Sequence, residues 1–113
     1  MEFIEVDSVT VLIEKLDAQQ EFSDLQCALI NNQELGDVIP SSGGLRKVRM
    51  AVPHRGKRGS VRIIYLIVCV SELICFLDAY TKNTKENLTV ADSKRLGLLA
   101  DLIRKEYKNE KNT

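Results

Sequence analysis

Positively charged side chains are concentrated in one part of this 113-residue chain. No acidic residue stands between Asp37 and Glu72, although the whole chain has sixteen acidic and sixteen basic residues. This segment, 38–71, carries one histidine and seven cations: His54, Arg46, Lys47, Arg49, Arg55, Lys57, Arg58 and Arg62. Focused positive charge attracts a polyanion, and nucleic acid is the simplest candidate. A solvated, charged loop is the alternative explanation.

The spacing of these cations on predicted strands favours a common surface. Lys47 and Arg49 alternate with apolar residues, so on a strand both side chains project from one sheet face. Arg62 opens the next strand, and Lys82 and Lys85 follow the last one, so all three can join the same rim. Two alternatives remain open, namely that Arg62 pairs with a neighbouring Asp78 and that Lys82 is only a solvated turn residue.

The stretch between residues 53 and 59 is predicted to be a loop interrupted by Gly56 and Gly59. Glycines allow backbone N–H groups to approach an anion closely, so this loop is a candidate phosphate contact. His54 lies in it, directly after Pro53, where a solvent-exposed bystander is as compatible with the sequence as a catalyst.

The composition of the basic segment restricts the chemistry that it could perform. With one histidine and no carboxylate, it lacks both a hydrolytic metal site and the histidine pair of an acid–base ribonuclease. It has no helical HExxH motif, no GxSxG motif and no Walker loop. RNA carries its own nucleophile, the 2′-hydroxyl, and Arg and Lys can stabilise charge growing on the phosphate. Cleavage of RNA without metal or cofactor therefore remains possible.

The elements that must position these residues follow the order β-α-α-β-β-β-α. Short links between consecutive strands predict an antiparallel sheet with helices on one face, an α+β fold. The first two helices form a hairpin, and Thr89 and Asp92 match a capping box that begins the last helix. We expect one domain over residues 1–113, with a disordered tail at 108–113. The predicted strands are 2–6, 45–52, 60–70 and 73–80, and the predicted helices are 7–18, 21–31 and 89–107.

The most apolar stretch, residues 63–77, is predicted to form two buried strands joined by a turn at Ser71 and Glu72, not a membrane span. Cys69 and Cys75 lie in or beside this stretch without metal-ligand spacing, so buried free thiols are expected there. The acidic start of the chain is unlike a signal peptide, and with reduced cysteines this favours the cytoplasm.

Several motifs together resemble one known family. The motifs are GGLRKVRMA at 43–51, GKRGSVRIIY at 56–65, AYTKN at 79–83 with LT at 88–89, and LGDVI at 35–39. In combination they closely resemble the RelE/HigB family of bacterial toxins, and most closely its HigB branch, over roughly residues 20–108.

The resemblance implies the small RelE-like α+β fold and the activity of a metal-independent endoribonuclease, an mRNA interferase that cuts messenger RNA in the ribosomal A site and so inhibits translation. It also implies partners. A co-encoded helix-turn-helix antitoxin of the HigA type would neutralise the toxin, and the pair would bind operator DNA through the antitoxin.

Roles can be transferred to matching positions. Lys47 and Arg49 match the paired basic positions of the family's first long strand, where either could take the 2′-hydroxyl proton or hold the scissile phosphate. Arg62 matches the arginine that opens the family's next strand and is the strongest single candidate for stabilising transition-state charge. Lys82 matches a basic position that binds phosphate or assists the leaving oxygen. The remaining RNA or ribosome contacts are Arg46, Lys57 and Arg58.

One departure from the family affects the prediction. Many RelE-like toxins carry an aromatic residue near the C-terminal end of the site, whereas this chain has Asn87, Leu88 and Thr89 there. This departure leaves the assignment of general acid and base open and predicts low intrinsic activity or full dependence on the ribosome. The competing hypothesis is a non-catalytic nucleic-acid or ribosome-binding module that uses the same cations, or a degenerate toxin that acts only as an antitoxin partner. A third is a domain whose basic segment binds an acidic protein.

Overall fold

In the computed structural model, three helices pack on a five-stranded sheet within the described part of the chain. That part comprises residues 1–54, 57–68, 72–82, 84–85 and 87–112, without the side chains of 53–54, 57–58 and 108–112. The elements are β1 (Glu2–Glu5), α1 (Asp7–Lys15), α2 (Gln19–Asn31), β2 (Asp37–Val38), β3 (Arg46–His54), β4 (Lys57–Val68), β5 (Leu73–Thr81) and α3 (Val90–Asn112).

The sheet has the strand order β1-β5-β4-β3-β2. The α+β class is confirmed, and the predicted element order holds with one addition, the two-residue strand β2. Strands β2 to β5 pair antiparallel as expected, but β1 pairs parallel with β5. The sheet is therefore mixed, because β1 and β5 are joined by most of the chain and not by a short link.

The helices pack on both faces of the sheet, which corrects the expectation that they cover one face. The hairpin α1–α2 packs on one face with Phe22, Leu25 and Leu29, and α3 packs on the other with Leu96 and Ala100. Strands β4 and β5 are apolar on both sides, so both faces need cover. On this face, Leu96 and Ala100 belong to one buried cluster with Leu66 and Val68 of β4, Leu73 and Cys75 of β5, and Leu45, among others.

A β-bulge changes the direction of the side chains in β5. Tyr65 of β4 pairs with Phe76, but its neighbour Ile64 pairs with Asp78, so β5 has one extra residue, Leu77. A bulge of this kind breaks the simple alternation of side chains along a strand. Beyond it, residues that alternation would place on the α1–α2 face lie on the α3 face instead.

The hairpin between β3 and β4 is longer than the sequence predicts. Pro53 pairs with Arg58 and His54 with Lys57, so most of the expected loop at 53–59 is paired strand. Gly59 lies in this ladder and does not form an anion-binding loop, because the antiparallel pairing continues past it. Residues 55 and 56 lie outside the described residues.

The apolar stretch forms the two strands that the sequence predicts, with Cys75 buried and Cys69 outside the described residues. Among the described residues, no helix has the length and apolar character needed to cross a bilayer.

Helix α3 begins with the predicted capping box. The backbone N–H of Asp92 donates to Thr89 Oγ1 at 3.0 Å, and the N–H of Thr89 donates to Asp92 Oδ2 at 3.2 Å. Lys85 Nζ also lies 3.2 Å from Asp92 Oδ2. Helix α1 differs from the expectation that Asp7 or Ser8 caps it, because its cap is Val6, which has no side-chain capping bond.

The contacts of Asp92 predict an acid-dependent stability. The Thr89 N–H, and after it the Lys85 ammonium, lower the pKa of the Asp92 carboxyl below its ordinary value of 3.8. The ionised Asp92 carboxylate therefore stabilises the folded state above pH 3.8. This stabilisation is lost as the pH falls through the lower pKa of the folded state. We expect Asp92→Asn to be less stable than the wild type at neutral pH, and this difference to shrink in acid. Urea denaturation across the pH range measures both; a constant difference would contradict the prediction.

The Tyr65 hydroxyl forms two hydrogen bonds to the backbone of the segment between α2 and β3. It accepts a hydrogen bond from the Gly36 N–H and donates one to the Gln33 carbonyl, each at 2.8 Å. Tyr65→Phe leaves both backbone groups without this partner, so we expect the free energy of unfolding to fall by about 1–3 kcal/mol. Urea denaturation measures the change, and an unaltered midpoint would show that these bonds add nothing.

Candidate nucleic-acid interface

Three side chains form a row across the sheet on the face that α3 partly covers. Arg49 of β3 is the direct partner of Arg62 of β4, which is the direct partner of Tyr80 of β5. Directly opposed residues of an antiparallel pair have Cβ atoms about 5 Å apart. Arg49 is exposed and Arg62 half-buried, so this end of the sheet presents two adjacent guanidinium groups to solvent.

The two arginines are not neutralised by carboxylates. Like charges directly opposite each other destabilise a sheet, yet among the described side chains no ion pair involves Arg49 or Arg62. Arg62 donates instead to Ser60 Oγ. The alternative that Arg62 pairs with Asp78 is wrong, since Asp78 Oδ1 accepts the Ala79 N–H and its Oδ2 is buried without a partner. The arginines therefore remain available to a ligand.

Two further candidates lie beside this row. Lys47 is partly exposed and pairs with Ile64, one step along the same face from Arg49 and Arg62. Lys82 is exposed and directly follows Thr81, the last residue of β5. The structure thus brings Lys47, Arg49 and Arg62 onto one face and places the Lys82 backbone at the same end of the sheet. We call these four residues and Tyr80 the cationic row.

The predicted RNA contacts are distributed differently. Arg46 pairs with Tyr65 on the opposite, α1–α2 face, and its Nη1 donates to the Gly36 carbonyl at 2.7 Å. Arg46 is therefore not gathered with the cationic row. Lys57 and Arg58 lie at the far end of the β3–β4 hairpin, and their side chains, like that of His54, lie outside the described residues.

Tyr80 lies in this region but was not selected from the sequence as a site residue. Tyr80 is 3% exposed, and its hydroxyl oxygen is buried without a hydrogen-bond partner. Lys85 Nζ lies 5.2 Å from the centre of the Tyr80 ring. Burial raises the pKa of the Tyr80 hydroxyl, and the positive charge of Arg62 opposes that shift. The bulge that brings Tyr80 to this face has no signature in the alternation of the sequence, whereas Lys85 was recognised as part of the rim.

The arrangement suits binding of phosphate groups. Arginines present several donors in a planar fork that matches phosphate oxygens, and here they stand beside lysines on a partly open sheet. Among the described residues, no three His, Cys, Asp or Glu side chains are grouped so that they could hold a metal ion. The groups on this face can supply electrostatic stabilisation and proton transfer.

A small α+β domain with an unneutralised row of cations on one sheet face defines a class of protein suited to binding a polyanion. A comparison with family models gives the particular family. The model described as "RelE toxin of RelE / RelB toxin-antitoxin system" matches residues 11–112. The chain belongs to this family, which confirms the predicted fold and makes the chain the toxin of a toxin–antitoxin pair, with an antitoxin as its partner.

Proposed function

We propose that this toxin is an endoribonuclease that cuts messenger RNA on the ribosome without a metal ion. The observation that supports the proposal best is the juxtaposition of Arg49 and Arg62, which are opposed across two strands and form no ion pair with any carboxylate that the structure describes. Such a pair costs stability and is suited to a phosphodiester, whose charge increases in the transition state of cleavage.

The proposed reaction uses the nucleophile that RNA already carries. The 2′-oxygen attacks the adjacent phosphorus as its proton passes to a base, and the bond to the 5′-oxygen breaks as that oxygen gains a proton. Arg62 stabilises the charge on the phosphate. Lys47 accepts the proton or holds the phosphate, Arg49 holds the phosphate because a guanidinium only donates hydrogen bonds, and Lys82 assists the leaving oxygen. Lys57 and Arg58 extend the RNA or ribosome contact beyond the cationic row; Arg46 would do so only from the other face.

The proposed partners follow from family membership and from the resemblance to the HigB branch. The antitoxin would be a co-encoded helix-turn-helix protein of the HigA type, through which the complex binds operator DNA. Whether the neighbouring reading frame encodes such a protein tests this part of the proposal directly.

Induced expression tests the function. The wild type should arrest growth, and the purified protein should cut messenger RNA bound to ribosomes. A double variant, Arg49→Ala with Arg62→Ala, should do neither. Lys105→Ala is the matched control, because it removes an exposed cation of α3 outside the cationic row and should leave both effects intact. A wild type that leaves growth and messenger RNA unchanged would contradict the enzyme hypothesis.

A non-catalytic RNA-binding toxin is the second candidate, and one observation favours it. The segment at 87–89 has no aromatic residue, and the Tyr80 ring is buried, so neither provides an open surface on which a base could stack. In that case RNA would bind without being cut. Binding should then weaken steeply with salt, because phosphate contacts release counterions; a flat dependence would favour an acidic protein as the ligand.

A further inference from the structure

The hydroxyl group of Tyr80 is an unused hydrogen-bond donor within the cationic row. We propose that it is a further catalytic residue, which donates a hydrogen bond to a phosphate oxygen of the RNA held by Arg62. This inference rests on the proposed function. It adds an uncharged side chain to a site that the sequence defines only by its cations.

The first argument is the state of the hydroxyl. Tyr80 is 3% exposed, and its oxygen has no hydrogen-bond partner in the part of the chain that the structure describes. A buried, unpaired hydroxyl costs about 1–3 kcal/mol, and phenylalanine would fill the same space without that cost. Tyr65, which is buried on the other face of the same sheet, uses its hydroxyl in two hydrogen bonds. The unpaired group at Tyr80 therefore indicates a partner that the free protein lacks.

The second argument is the position of the residue. The bulge at Leu77 brings Tyr80 to the α3 face, directly opposite Arg62. Bulges are frequent beside active sites, where they redirect a side chain. Simple alternation from Phe76 would have placed Tyr80 on the α1–α2 face, away from every cation of the row.

The surroundings of Tyr80 define the ligand. The charged groups that act on its hydroxyl are Arg62, Asp78 and Asp92, and Lys85 lies over its ring. Arginine and lysine only donate hydrogen bonds, so they offer the hydroxyl proton no acceptor. The two carboxylates are acceptors, but Asp78 Oδ1 accepts from the Ala79 N–H and Asp92 Oδ2 from Thr89 and Lys85, and neither carboxylate is hydrogen-bonded to the Tyr80 hydroxyl. A phosphate oxygen that binds Arg62 would supply that acceptor. Lys85, whose Nζ lies 5.2 Å from the centre of the Tyr80 ring, has a flexible side chain that can move aside when the phosphate enters.

The direction of the bond follows from the protonation state. Burial raises the pKa of the Tyr80 hydroxyl. The group therefore keeps its proton at neutral pH and can donate a hydrogen bond to an anionic oxygen. A donor that is already in place when charge develops on the phosphate stabilises the transition state more than the bound substrate.

Three proteins test the proposal: wild type, Tyr80→Phe and the matched control Tyr65→Phe. We expect Tyr80→Phe to keep or raise the urea midpoint while the single-turnover rate of messenger RNA cleavage on ribosomes falls about hundredfold. RNA affinity, measured by anisotropy with a labelled oligonucleotide, should fall about tenfold or less. Tyr65→Phe should give the reverse pattern, with a lower urea midpoint and an unchanged cleavage rate.

Each other outcome decides against the proposal in a distinguishable way. If Tyr80→Phe cuts RNA at the wild-type rate while the Arg49/Arg62 double variant does not, the hydroxyl has no role and the proposed function stands. If Tyr80→Phe loses as much stability as Tyr65→Phe, the hydroxyl has a structural partner. If the wild type itself does not cut RNA, the proposed function fails and the catalytic role of Tyr80 fails with it.

Discussion

Arg62→Ala is expected to lower the rate of messenger RNA cleavage by about 10²–10³-fold, the usual effect of removing one donor from a transition-state charge. Arg62 is the central member of the cationic row, with Arg49 on one side and Tyr80 on the other. Arg62 forms no ion pair with a described carboxylate. Its removal therefore leaves no described carboxylate without its partner. Single-turnover cleavage on ribosomes, with the urea midpoint measured in parallel, checks the prediction.

The stability of this variant provides the internal control. Removing one of two directly opposed cations relieves repulsion, so the urea midpoint should stay the same or rise as cleavage is lost. Arg62→Lys keeps the charge but loses the planar fork, and its rate should lie between those of the wild type and Arg62→Ala. Loss of activity accompanied by unfolding would instead assign Arg62 a structural role.

Phe76→Ala is expected to cause the largest loss of stability, about 3–5 kcal/mol. The Phe76 ring is fully buried, and its centre lies 4.8 Å from that of Phe22, 5.8 Å from that of Phe3 and 6.4 Å from that of Tyr65. It therefore joins α2, β1 and β4 to β5. Since a domain is stable by only about 5–15 kcal/mol, the thermal midpoint should fall by more than about 10 °C.

Leu98→Ala is the matched control for this experiment. Leu98 is 67% exposed on α3, and substitutions at such positions usually change stability by less than about 0.5 kcal/mol. Calorimetry or circular dichroism of both variants measures the contrast. Similar midpoints for the two variants would mean that the aromatic cluster is not the centre of this core.

The elements of this fold could be predicted because their signals are local. Apolar spacing at Phe22, Leu25 and Leu29 defines the buried stripe of α2, and the capping pair at Thr89 and Asp92 defines the start of α3. The parallel pairing of β1 with β5 and the position of α3 on the second face depend on contacts between distant parts of the chain. No local pattern carries that information.

The same distinction between local and non-local information applies to the residues of the candidate site. Lys47 and Arg49 could be placed on one face because strands alternate. Arg62 was predicted only to lie near them, and the register of β3 with β4 places it directly opposite Arg49. Arg46 differs by one position, so the same alternation turns it to the other face. Tyr80 could not be placed, because one additional residue in β5 reverses the alternation, and a single strand read by itself does not reveal where a bulge interrupts it.

The pairing of β1 with β5 also has a consequence for the order of events during synthesis. Glu2 pairs with Leu73 and Glu5 with Phe76, so β1 has no partner until about seventy more residues have been made. Pairings between such distant segments form slowly. The sheet therefore cannot be completed before β5 (Leu73–Thr81) has been synthesised, and until then β1 is an unpaired strand that is open to pairing with other chains.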